Sequence, residues 1–146
     1  MINGAELLLS LQTITRLFEK YGKQACDLLE LNMTEMRVLM FLINNPDKDT
    51  ASDIVNLFFF PKASVSITID TLIKKGYLER LPDKNDRRRI HLNVIKDIDM
   101  LKEIFVSLKN NFFSQLYTGF TEEEINQHQK FYERIVNNAI NGLNEE

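Results

Sequence analysis

Between Pro61 and His91 the chain carries eight lysines and arginines (Lys62, Lys74, Lys75, Arg80, Lys84, Arg87, Arg88 and Arg89) against four acids (Asp70, Glu79, Asp83 and Asp86). That segment is +4, while the ten bases and seventeen acids elsewhere leave the rest of the chain at −7. A basic middle in an acidic body is the footprint of a local contact with a polyanion. Other reactive side chains are sparse. The single cysteine, Cys26, excludes a disulfide framework and a cysteine-based zinc site, and reads as a small buried apolar residue. The two histidines, His91 and His128, have no second His or Cys at ligand spacing, so no metal is expected. No glycine-rich phosphate loop appears, and no nucleophile stands in a catalytic motif. Neither a catalytic residue nor a cofactor is expected, and the chain does not read as an enzyme.

The elements that must position the basic cluster follow from hydrophobic periodicity. A chain of 146 residues, 44% apolar and 27% charged, is sized for one domain. Leu7, Leu11, Ile14, Phe18, Tyr21, Ala25 and Leu28 alternate spacings of four and three over residues 5–30, the mark of a long helix with one apolar seam. Gly22 is expected to bend it. Thr34 is expected to cap a second helix over 35–44, which stops before Asn45-Pro46. Thr50 or Ser52 caps a third, carrying Ile54, Val55 and Phe58. Phe58-Phe59-Phe60-Pro61 then turns into a fourth, from Lys62 to Lys75, closed by Gly76. In that helix Val65, Ile69 and Leu72 face the core. The opposite face carries Ala63, Ser66, Ile67, Asp70 and Lys74, with Lys62 and Ser64 at its flanks.

Tyr77 to Leu81 and Arg89 to Val94 suit two short strands around the polar turn at 82–86, a hairpin with a basic tip. A fifth helix over 96–117 shows Ile98, Leu101, Phe105, Leu108, Phe112 and Leu116. Thr121 to Glu124 is a capping box opening the last helix, which repeats the stripe with Ile125, His128, Tyr132, Ile135 and Ala139. The fold class is therefore mostly α with a small β-hairpin wing. Residues 32–94 read as a winged helix-turn-helix core, and 1–30 and 96–146 as flanking dimerisation helices. Three striped helices exceed what one small subunit can cover, so a homodimer is expected. In a winged helix-turn-helix one helix enters the DNA major groove and the hairpin reaches the backbone or minor groove alongside.

From about Asn32 to Leu92 the chain resembles the MarR family of bacterial transcription regulators. The resemblance is carried by Leu31-Asn32-Met33-Thr34 with Val38-Leu39, by Ser64-Val65-Ser66 ahead of the run from Leu72 to Arg80, and by Asp86-Arg87-Arg88 at the wing. It implies a homodimer knitted by the first, fifth and sixth helices, reading a pseudo-palindromic operator in double-stranded DNA. It assigns reading-helix hydroxyls to Ser64 and Ser66, and to the wing an arginine, Arg88, that enters the minor groove while Asp86 holds it. It further implies a small-molecule effector seated between the dimer helices and the DNA-binding lobe; Phe58 to Phe60 lie near that junction and read first as core packing, second as pocket lining. The chain departs from the family at Ile67, where many relatives place a basic residue or proline. It departs again at Leu92-Asn93 and Lys96, where Leu-Thr and a glycine usually close the wing.

The candidate DNA-binding residues are thus Lys62, Ala63, Ser64, Ser66, Ile67, Lys74, Lys84, Asp86, Arg87, Arg88 and Arg89. Ile67 cannot hydrogen-bond a base but can pack on thymine methyl groups, which points to an A·T-rich operator. The longest apolar run, Val38 to Ile43, is far short of the ~20 residues a membrane helix needs, and the first basic residue is Arg16, so the chain reads as cytoplasmic. The expected function is a dimeric transcriptional repressor. The alternative is a winged-helix protein-interaction module that does not read DNA, favoured by the acidic total charge and the apolar Ala63 and Ile67.

Overall fold

The structure, a computed structural model, describes residues 3–144 apart from Phe59 and the side chain of Phe58. Its order is α1 (Gly4–Leu29), α2 (Met33–Asn44), α3 (Ala51–Phe58), α4 (Lys62–Lys74), β1 (Leu78–Pro82), β2 (Ile90–Val94), α5 (Ile98–Leu116) and α6 (Glu122–Asn144). The mostly helical chain with one hairpin is the expected class. The chain forms two compact units, Met1–Asn111 and Phe112–Glu146.

In the first unit, local chemistry sets the helix ends. Asn32, not Thr34, caps α2: its side chain accepts from the Glu35 N–H at 2.8 Å while Glu35 accepts from the Asn32 N–H at 2.9 Å. This reciprocal box satisfies two otherwise orphaned amides, which Thr34 cannot do because the residue three positions on is Arg37, with no acceptor to return the bond. Thr50 and Asp53 close the same kind of box ahead of α3. The Thr50 hydroxyl also donates to Asp53, and these bonds hold that carboxyl below its ordinary range. Gly76 ends α4 at φ +78°, a left-handed conformation that glycine takes without strain.

The core gathers Met36, Val38, Leu39 and Leu42 of α2, Ile54 of α3, Val65, Ile69 and Leu72 of α4, and Leu78 and Leu92 of the hairpin. Ala25, Cys26 and Leu29 of α1 join them, as do Leu101, Phe105 and Leu108 of α5. Two details of the expected α1 seam are corrected. α1 is continuous through Gly22, where a Cβ would lie 2.9 Å from the Met33 Cε; the glycine serves close helix packing, not a bend. Leu28 is 69% exposed, because burial passes to Cys26 and Leu29 as α1 reaches α2. Ile98, at the start of α5, is exposed as well. Cys26 packs with its Sγ 3.7 Å from the Met36 Sδ, and burial, aided by Asp27 and Glu35 and opposed by Lys23, pushes its thiol pKa up.

In the second unit, Tyr117 bonds through its hydroxyl to the His128 Nδ1 at 3.0 Å, and Thr121 with Glu124 forms the expected box at the start of α6. α6 has no buried residue, and Phe131, Tyr132, Ile135, Ile140 and Leu143 are all exposed. The first half of α1, in the other unit, is equally bare at Leu7, Leu8, Leu9, Leu11 and Ile14.

Candidate functional site

α4 is amphipathic in the sense expected. Val65, Ile69 and Leu72 are 1%, 2% and 0% exposed, so the helix is fixed in rotation about its axis. Thr68 is buried with them, its hydroxyl donating to the Ser64 carbonyl, which satisfies the group without a distant partner. Lys62, Ala63, Ser64, Ser66, Ile67, Asp70 and Lys74 are all exposed. Among the described residues, neither the Ser64 nor the Ser66 hydroxyl has a hydrogen-bond partner.

The hairpin beside α4 pairs antiparallel, Leu78 with Val94 through Pro82 with Ile90. Its tip, carrying Lys84, Asp86, Arg87, Arg88 and Arg89, is exposed and braced by short-range bonds. The Asp83 carboxylate accepts from the backbone amides of Asn85 and Asp86 at 2.7 and 2.8 Å, and the Asp86 carboxylate from that of Arg88 at 2.9 Å. The Asp83 amide donates to the Arg89 carbonyl, and the Arg89 amide to the Asp86 carbonyl, both at 3.0 Å. Asp86 thus holds Arg88 through its main chain, leaving the guanidinium to project.

Of the eight bases in the basic middle, two are used internally. Lys75 Nζ donates to the buried Glu35 carboxylate and to the Glu30 carbonyl, each at 2.8 Å. Arg80 pairs with Asp70 at 2.7 Å. Among the described residues none of the other six (Lys62, Lys74, Lys84, Arg87, Arg88 and Arg89) is in an ion pair. Those six are the basic residues in the expected site, and the structure keeps them all solvent-facing on α4 and the wing.

His91 was not singled out by sequence. It sits on β2 with Nδ1 2.7 Å from Asp49 and Nε2 2.8 Å from Asp83. Two carboxylates on one ring favour the imidazolium, so its pKa is raised above the ordinary value, while the bonds from His91 and the two amides hold Asp83 at about 2. The partners lie 42 and 8 residues away in sequence, with no local pattern to betray them.

Residues 29–89, from the end of α1 to the wing tip, match the model of the MarR family. Over that segment the chain is similar to the MarR family. A crystal structure of MarR superposes with a TM-score of 0.83 at 20% identity, over 100% of this chain and 99% of that one. A MarR protein from Peptoclostridium difficile reaches 0.82 at 23% identity, over 96% and 91%. A mutant E. coli MarR complexed with operator DNA reaches 0.69 at 18%, over 90% and 91%. At these identities the likeness establishes a shared fold. No curated protein sequence matches the chain.

Proposed function

We propose that this chain is a regulator of the MarR type, a homodimeric, sequence-specific DNA-binding repressor, with residues 32–94 as its DNA-binding lobe and 1–30 and 96–146 as its dimerisation helices. One observation carries the reading. The exposed face of α4 carries small and apolar side chains (Ala63, Ser64, Ser66 and Ile67), and α4 and the hairpin packed beside it carry six exposed cations that have no ion-pair partner among the described residues. Lysine and arginine supply the salt-dependent affinity for phosphates, while the α4 face and Arg88 supply selection. That a fold relative at 0.69 was crystallised on operator DNA supports the same use of this surface.

The exposed leucines of α1 and the aromatic and aliphatic face of α6 support the dimer, because soluble monomers seldom leave such patches uncovered. Relief by a small effector is proposed with them. A cleft of about 320 Å³ between α1 and α5, lined by Tyr21, Leu28, Glu103, Ile104 and Leu108, offers a place where binding would bias the spacing of the two lobes. The experiment is a gel shift of the purified full-length protein on the DNA upstream of its own gene, with sedimentation measured in parallel. A dimer that shifts this DNA at low salt and releases it steeply as salt rises supports the reading. A stable monomer with no preference among duplexes overturns it in favour of a protein-interaction module.

A further inference from the structure

We infer that His91 is a positioning residue of the wing, which in its protonated form clamps the Arg87–Arg89 turn to the lobe through Asp83 and Asp49. The geometry is specific. Asp83 opens the wing turn and orders it through the Asn85 and Asp86 amides. Asp49 lies in the loop between α2 and α3, and its carbonyl already accepts from the Leu92 N–H at 2.7 Å, so β2 is joined to that loop by backbone next to the ring. Among the described residues His91 alone links the two carboxylates. A neutral imidazole has one N–H, so on deprotonation one carboxylate loses its donor and faces a lone pair. The base of the two-stranded hairpin is held by the buried Leu78 and Leu92, so the clamp acts on its outer end.

The charged groups around the ring are few. Asp83 comes from the wing turn and Asp49 from the α2–α3 loop. Of the neighbouring cations, Arg89 of the wing and Lys48 beside Asp49 act on Asp53 at the start of α3. With two acids in direct contact, the ring holds its proton above the pH at which an ordinary histidine loses it. The clamp is therefore complete below about pH 6.5 and is lost as pH rises through the raised value.

The test uses the full-length protein as wild type, His91→Gln and Asp49→Asn, with NMR and duplex-binding titrations from pH 6 to 9 at fixed ionic strength. The His91 ring should titrate above 6.5 in the wild type and lower in Asp49→Asn, and the Asn85 and Asp86 amide signals should move with the same midpoint. For the binding readout, which rests on the DNA-binding proposal, duplex affinity should fall about three- to tenfold across this range in the wild type and stay level in His91→Gln. A ring that titrates at or below 6.5, or wing amides indifferent to it, overturns the inference. So does an identical pH profile of binding in wild type and His91→Gln. Absence of duplex binding in every variant, with the ring and amides still moving together, supports the clamp and overturns the DNA-binding proposal instead.

Discussion

Neutralising one free cation and neutralising one internal ion pair should have different consequences for salt dependence. Removing a single cation–phosphate interaction flattens the slope of log K against log salt by about 0.9. Arg88→Ala removes one unpaired cation per subunit, two per proposed dimer, so the slope should become shallower by about 1.8. The double change Asp70→Ala with Arg80→Ala also removes an arginine from each subunit, but one already bound to a carboxylate at 2.7 Å, and it leaves net charge unaltered. Its slope should match the wild type. Both pair members are about half exposed, so stability should change by only about 0–1 kcal/mol. Fluorescence anisotropy of a labelled duplex at several salt concentrations measures all three slopes. Equal flattening by the two variants would show that position in the ion-pair network does not select the DNA-facing cations, and the assignment of the site would fail.

Three further outcomes are expected. Lys75→Ala strips the buried Glu35 of its countercharge; because Lys75 itself reaches the surface, the loss should be about 1–3 kcal/mol in urea unfolding, without the slope change of Arg88→Ala. Gly22→Leu drives atoms into Met33 and Met36 and should lower stability by about 1–3 kcal/mol, whereas Gly22→Ala should be near neutral because helix propensity offsets displacement of a flexible methionine end, both read by thermal unfolding. Selection from random duplexes should enrich A·T pairs opposite Ala63 and Ile67; G·C-rich winners at the half-site centre would defeat the thymine-methyl contact.

What could be read from sequence was what depends on periodicity and on short spacing. The rotation of α4 followed from Val65, Ile69 and Leu72 alone, because a 3.6-residue period admits one buried face. The wing followed from a polar turn between two apolar runs. The true cap of α2 was equally legible, since Asn32 and Glu35 stand at capping-box spacing, but Thr34 competed for the same role and was displaced because Asn32 satisfies one more amide. What was not legible depends on chain segments that meet only after folding. Nothing near Lys75 says that it reaches Glu30 and Glu35, forty or more positions earlier, and so differs from its neighbour Lys74. The pairing of His91 with Asp49 is hidden in the same way. Leu28 shows the limit of periodicity itself: the stripe continues past the point where the surface it would cover ends.

The contacts of Lys75 matter for how α1 can govern α4. The last carbonyls of α1 have no partners within the helix. Here Leu29 offers its carbonyl to the Tyr77 hydroxyl at 2.7 Å and Glu30 offers its own to Lys75 at 2.8 Å. Tyr77 and Lys75 bracket Gly76, the residue that ends α4 and begins the hairpin. The end of α1 is thereby bonded to the joint between α4 and the wing, while Gln24, Ala25 and Leu28 line the cleft facing α5. A displacement of α1 at that cleft must either break two hydrogen bonds to buried or half-buried groups or carry the α4–wing joint with it. Moving the joint keeps both bonds, so in the proposed dimer α1 and the DNA-reading surface should shift together. Tyr77→Phe, which removes one of the two ties and leaves the ring in place, should weaken that coupling before it weakens the fold.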